Sequence, residues 1–80
     1  MIVDTNMTAS SITSVSTAEE LGRAIRARRL ALGLHQADVA MQSGVSAPTV
    51  SAIENGKETA RIGLVLQICR DLGLQITLST

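Results

Sequence analysis

Apolar positions come in short runs of helical spacing, each cut off by a glycine. Leu21, Ile25 and Leu32 recur at helical intervals, with the aliphatic stem of Arg28 covering the gap between them. Thr17 with Glu20 three residues on reads as a capping box, and Ser16 with Glu19 offers the neighbouring register. Gly33 closes the segment, so a first helix is predicted over residues 18–32. A short second helix spans Gln36 to Gln42, with His35 in a cap position for which Ser or Thr is better suited and Asp38 at the third helical place. A third opens at Ser46, carries Pro48 in its first turn, points Val50 and Ile53 inward and ends at Asn55-Gly56. The fourth, over roughly 61–72, aligns Ile62, Val65, Leu66, Cys69 and Leu72 on one face, tolerates Gly63 near its start and stops at Gly73.

The period then changes. Leu74, Ile76 and Leu78 alternate with Gln75, Thr77 and Ser79, the pattern of a strand with one apolar face. A lone strand leaves its backbone groups unpaired, so it calls for a second copy of the chain or a strand of another protein. Upstream, Thr5, Thr8, Ser10, Ser11, Thr13, Ser14, Ser16 and Thr17 dominate a stretch with few apolar residues. Residues 1–15 therefore read as a flexible tail, a short strand through Ile12 and Val15 being the weaker alternative. The predicted organisation is a tail at 1–15, a helical domain at 16–73 and a dimerisation strand at 74–80.

Between the second and third helices lies Ser43-Gly44-Val45-Ser46. Gly44 suits the left-handed residue of a tight turn, Ala40 permits close approach, and Val45, Val50 and Ile53 anchor the helix that follows. This pattern fits a helix-turn-helix whose second helix enters the major groove. It equally fits an ordinary helical hairpin with small residues at its bend.

Composition narrows the field. With 80 residues there is room for one small domain, which buries only roughly 60% of its unfolded surface. Seven basic residues balance seven acidic ones, and Phe, Tyr and Trp are absent, so distribution rather than net charge must carry any case for nucleic acid. Four of the seven basic residues, Arg23, Arg26, Arg28 and Arg29, lie on the first helix; Arg23 and Arg28 read as solvated surface. Cys69 has no partner for an internal disulfide and sits on the apolar stripe of the fourth helix, as a small core residue. His35 and Asp38 read as cap residues rather than a proton relay. Paired carboxylates, metal-spaced ligands and a phosphate-cradling glycine loop are all missing, so neither catalysis nor a cofactor or metal is expected. Met1 to Thr17 does not have the basic start and apolar core of a secretory signal, and no run reaches the roughly 18 apolar residues of a membrane span. A cytoplasmic protein is expected.

The string from Leu21 to Gly56 resembles the lambda-repressor/Cro-like family of helix-turn-helix regulators, also called the xenobiotic-response-element family. The resemblance runs over residues 20–74. Its most specific parts are Ile25-Arg26, Arg29, Gly33-Leu34, Gln36, Val39-Ala40, Gly44-Val45-Ser46, Thr49, Ser51 and Ile53-Glu54-Asn55-Gly56. The ending LQICRDLGLQITLST is similar to that of HipB-type antitoxins. The resemblance implies an all-α domain of four to five helices with a C-terminal strand that pairs across a homodimer. It also implies binding to operator DNA and to a HipA-type serine/threonine kinase toxin.

Residue roles follow from the same resemblance. Gln36 matches a position that contacts a phosphate and braces the recognition helix. Ser46, Ala47, Pro48, Thr49 and Ser51 match the groove-facing segment, while Arg26, Asn55 and Lys57 would reach backbone phosphates. Glu54 matches a structural position that pairs with Arg29. Leu74, Ile76 and Leu78 would form the dimer contact. Ala47 and Pro48 depart from the long polar residues of many regulators and offer only apolar contacts, such as a thymine methyl, so readout would lean on Ser46, Ser51 and DNA shape. A free-standing repressor and a helical interaction module that does not bind DNA are the alternatives to an antitoxin.

Overall fold

The computed structural model describes residues 12–80. Four helices follow in order: α1 (Ala18–Ala31), α2 (Gln36–Ser43), α3 (Ala47–Glu54) and α4 (Ile62–Asp71). Each lies within a residue or two of its predicted span. Thr17 is the first cap, its Oγ1 accepting from the Glu20 N–H at 3.0 Å. The Glu20 carboxylate reaches one residue further back than a standard capping box, to the Ser16 N–H (2.7 Å) and hydroxyl (3.1 Å). These bonds hold the Glu20 carboxyl below its ordinary range. At α2 the Asp38 carboxylate accepts the His35 N–H at 2.8 Å. At α3 the Ser46 hydroxyl accepts from the Thr49 N–H (3.3 Å), with Pro48 in the first turn where no intrahelical donor is lost.

All four helix endings share one device; at the end of α3 it is Gly56 (φ 88°), after which the Lys57 N–H bonds back to the Ala52 carbonyl at 3.0 Å. At the other three, Gly33, Gly44 and Gly73 adopt φ of 74°, 73° and 78°, a region that other residues enter at a cost. The residue after each then bonds back to a carbonyl five positions earlier: Leu34 to Arg29 (3.1 Å), Val45 to Ala40 (2.9 Å) and Leu74 to Cys69 (2.8 Å). Leu34, Val45 and Leu74 are thereby folded onto the core, the apolar contact that accompanies such caps.

That core is Ile25, Val39, Ala40, Val50, Ile53, Val65, Ile68, Cys69 and Leu72. Two apolar expectations are corrected. Leu32 is 44% exposed, because it precedes the Gly33 reversal and Leu34 takes the inward place. On α4 the buried stripe is Val65, Ile68, Cys69 and Leu72; Ile62, in the first turn, is 68% exposed. Burial raises the Cys69 thiol pKa, leaving it a neutral core group.

The C-terminal end differs from the sequence reading as well, and the strand alternative at the N-terminal end is not realised. Among the described residues no strand forms. Residues 12–15 are irregular and exposed, so Ile12 and Val15 make no strand, and the rest of the predicted tail, residues 1–11, lies outside the described residues. Residues 74–80 are likewise irregular: Leu74 is half-buried, whereas Ile76 and Leu78 are 49% and 93% exposed. The alternation there marks an apolar face, but a strand needs a partner's ladder, and the chain by itself supplies none.

Candidate nucleic-acid interface

The position of α3 is decided by its C-terminal half. Val50, Ile53 and Glu54 are buried. A Cβ added at Gly22 of α1 would collide with the carbonyl oxygens of Ile53 and Glu54, the latter at 2.6 Å, so the two backbones meet where only a glycine fits. Sequence reasoning missed this role of Gly22, since a lone glycine inside a helical pattern carries no signal of what lies opposite.

Around that contact sits a polar keystone. Arg29 donates to Glu54 through Nε (2.6 Å to Oε2) and Nη2 (3.0 Å to Oε1), and through Nη1 to the Leu34 carbonyl (2.8 Å). Gln36 adds Nε2 to Glu54 Oε1 at 3.0 Å. One carboxylate thus ties α1, α2 and α3 together, with Arg29 and Glu54 6% and 4% exposed. Burial alone would raise the Glu54 pKa. The bonds from Arg29 and Gln36, with the charges of Arg29 and Arg26, outweigh it and hold the carboxyl below its ordinary range. Among the described residues every buried side-chain nitrogen and oxygen has a hydrogen-bond partner.

With its far end locked, α3 presents its N-terminal half outward. Ser46 and Pro48 are exposed, and Thr49, Ser51 and Ala52 are half-buried. Ser46 Oγ lies 2.9 Å from Thr49 Oγ1, and Asn55 Nδ2 donates to Ser51 Oγ at 3.4 Å, so these four polar groups form two local pairs. Ala47 is less available than its neighbours: it is half-buried against the core. The first turn of α3 holds no acidic residue, leaving the positive end of its dipole unopposed. At α2, Asp38 occupies the equivalent turn.

Of the remaining candidates, Arg26, Asn55 and Lys57 are exposed, and Gln36 is half-buried. An amide nitrogen has two hydrogens; with one committed to Glu54, the other N–H of Gln36 meets no acceptor among the described residues. Pro48, Thr49 and Lys57 line a common groove with Ala52, Thr59, Ala60 and Arg61. Arg61, exposed at the cap of α4, is a cation beside α3 that sequence reasoning did not single out. Only the turn of the chain between Lys57 and Arg61 brings it there, and no local pattern announces that.

The fold and its projecting helix define a helix-turn-helix DNA-binding domain. The chain belongs to the helix-turn-helix domain family, whose model matches residues 20–78. It is 36% identical over 62 residues to the uncharacterized HTH-type transcriptional regulator y4mF of Sinorhizobium fredii, an alignment covering 78% of this chain and 82% of that protein. Among solved structures it is similar to a HipB variant in an O2 20mer complex, with TM-score 0.80, 26% identity, and 88% of this chain and 97% of the other covered. A HipA-HipB-O2-O3 complex gives TM-score 0.79 at 23% identity, covering 86% and 97%. The chain is a helix-turn-helix transcriptional regulator with a HipB-like fold. Among the described residues no helix is long and apolar enough to cross a membrane.

Proposed function

We propose that this chain is a sequence-specific operator-binding repressor that acts as a twofold dimer, and that it serves as antitoxin and autorepressor beside a HipA-type kinase toxin. The observation that carries the reading is the outward N-terminal half of α3, held at its other end by the Arg29–Glu54–Gln36 keystone. Ser46, Pro48, Thr49 and Ser51 face base edges, with Ala47 contributing at the margin. The second Gln36 N–H, Arg26, Asn55 and Lys57 take phosphates. Such contacts place the helix in register, while the few hydroxyls and the shape of the DNA supply specificity.

One domain of this size offers too few contacts for tight binding. A dimer sets two α3 helices about 34–36 Å apart on half-sites one turn distant. The tail is the natural seam. Beyond Leu74, residues 75–80 make no backbone hydrogen bond to other described residues, and Ile76 and Leu78 are exposed apolar groups. Two tails paired antiparallel would satisfy each other's edges and cover Leu74, Ile76 and Leu78. The dimer covers the promoter and blocks transcription by occupancy. The HipB likeness at 26% identity supports the antitoxin role.

Fluorescence anisotropy on a duplex from the gene's own upstream region tests the core of this. Binding is expected in the nanomolar to sub-micromolar range and to weaken steeply with salt, as phosphate contacts require. The triple variant Gln36→Ala, Ser46→Ala, Ser51→Ala should lose specific binding; unchanged binding would remove α3 as the reading surface. Co-purification with a kinase encoded beside the gene tests the toxin partnership.

A further inference from the structure

Arg28 reads in the sequence as one more solvated cation, yet its Nε donates to the Leu72 carbonyl at 2.7 Å across 44 residues of chain. Leu72 caps α4 and is 1% exposed, and its carbonyl is one of the helix's terminal acceptors without an intrahelical donor. The guanidinium also sits at the negative end of the α4 dipole. Its Nη2 lies 3.2 Å from where a Cβ of Gly73 would stand, and Gly73 is the left-handed residue at which the chain leaves the helix. The opposite flank of α4 is held to the end of α2 by Ser43 Oγ to Asp71 Oδ2 (2.9 Å) and Gln67 Nε2 to the Ser43 carbonyl (3.4 Å). Arg28 is therefore the strut from α1 to the point where the tail departs. After the Leu74 N–H bonds to Cys69, no further backbone bond to the described residues steers the tail, so its direction is set at residues 72–74.

From this geometry we infer that Arg28 is a positioning residue for half-site spacing. It fixes the angle at which the dimerising tail leaves the DNA-binding body, and hence the separation and facing of the two α3 helices. A small rotation at Gly73 is magnified over the distance to the partner's α3. The inference rests on the tail-mediated dimer proposed above. Arg28 itself needs no contact with DNA.

The test uses the full chain and four labelled duplexes: the natural operator with both half-sites, one version with a base pair added between the half-sites, one with a base pair removed, and a single half-site. Wild type is expected to lose tenfold or more in affinity on the altered spacings. Arg28→Ala should lose less than threefold on them, while keeping wild-type affinity for the single half-site and the same salt dependence. Arg28→Lys, which keeps the charge but not Nε, should fall between. Spacing discrimination equal to wild type in Arg28→Ala would overturn the inference, as would a parallel drop on the single half-site, which marks a direct phosphate contact. Thermal melts establish that the variants fold. Should Arg28→Ala fail to fold, Arg28→Met, which keeps the apolar stem but has no donor for the Leu72 carbonyl, carries the same comparison. A wild-type chain indifferent to spacing would instead sink the dimer reading, and this inference with it, without any variant being needed.

Discussion

Gly22 and Gly63 offer the same substitution with opposite expected signs. Both lie inside helices, so replacing either by Ala gains up to about 1 kcal/mol of helix propensity. At Gly63 of α4 nothing lies within 4 Å of the added methyl, and the position is exposed. Gly63→Ala should therefore stabilise by about 0.5–1 kcal/mol, less any loss from its place in the first turn. At Gly22 the methyl would stand 2.6 Å from the Glu54 carbonyl oxygen and 2.8 Å from its carbon, closer still to the Ile53 oxygen. These are backbone atoms at the end of α3 and cannot rotate away. Helices α1 and α3 must part, which opens the packing beneath Ile25 and Ile53 and stretches the Arg29–Glu54 pair. Overpacking costs about 1–3 kcal/mol in general, and here the rigidity of the obstacle argues for the upper part of that range. Against the propensity gain, a net loss of about 1–2 kcal/mol remains, or about 5–15 °C in Tm for a domain this size. Circular-dichroism melts at one fixed protein concentration measure both, since the proposed dimer would make Tm depend on concentration. A Gly22→Ala protein that melts at or above wild type would refute the close-approach account of how α3 is aimed.

Two further outcomes follow from the site and the tail. Glu54→Gln should destabilise at neutral pH by about 3–5 kcal/mol, the cost of breaking a buried pair. Because the folded carboxyl pKa is depressed, that stability is present above the ordinary carboxylate value of about 4.3 and lost as pH falls through the lower folded value. The gap between wild type and Glu54→Gln in urea melts should narrow below about pH 4, and a gap that stays constant to pH 3 would show that the charge of Glu54 contributes nothing. Truncation after Gly73 should turn a dimer into a monomer in analytical ultracentrifugation and cut operator affinity at least tenfold; an intact dimer would rule out the tail as the seam.

Much of the helical layout could be read locally, because helix starts and stops are local chemistry. Thr17, Ser46 and the four helix-ending glycines act on backbone groups within a few residues, and each did so where expected. Ile62 and Ile68 show where periodicity runs out: both are apolar and on α4, and only the breadth of the body against which α4 packs determined that Ile68 is enclosed and Ile62 is not. The pairing of Arg29 with Glu54 was anticipated from a family resemblance, but the amide of Gln36 joining the same carboxylate oxygen was visible only once three helices met.

By itself the chain determined four helices, their caps and turns, and a helix-turn-helix bend at Gly44, because those depend on φ preferences and hydrogen bonds spanning about five residues. Tertiary structure alone decided what lies against what: Gly22 beneath the end of α3, Arg61 beside the groove of α3, and Arg28 on the last carbonyl of α4. Those contacts reach beyond the span of a single turn's hydrogen bonds, to 44 positions for Arg28 and Leu72. Glycine and arginine tolerate many surroundings, so nothing in their immediate neighbours specifies which one they will meet.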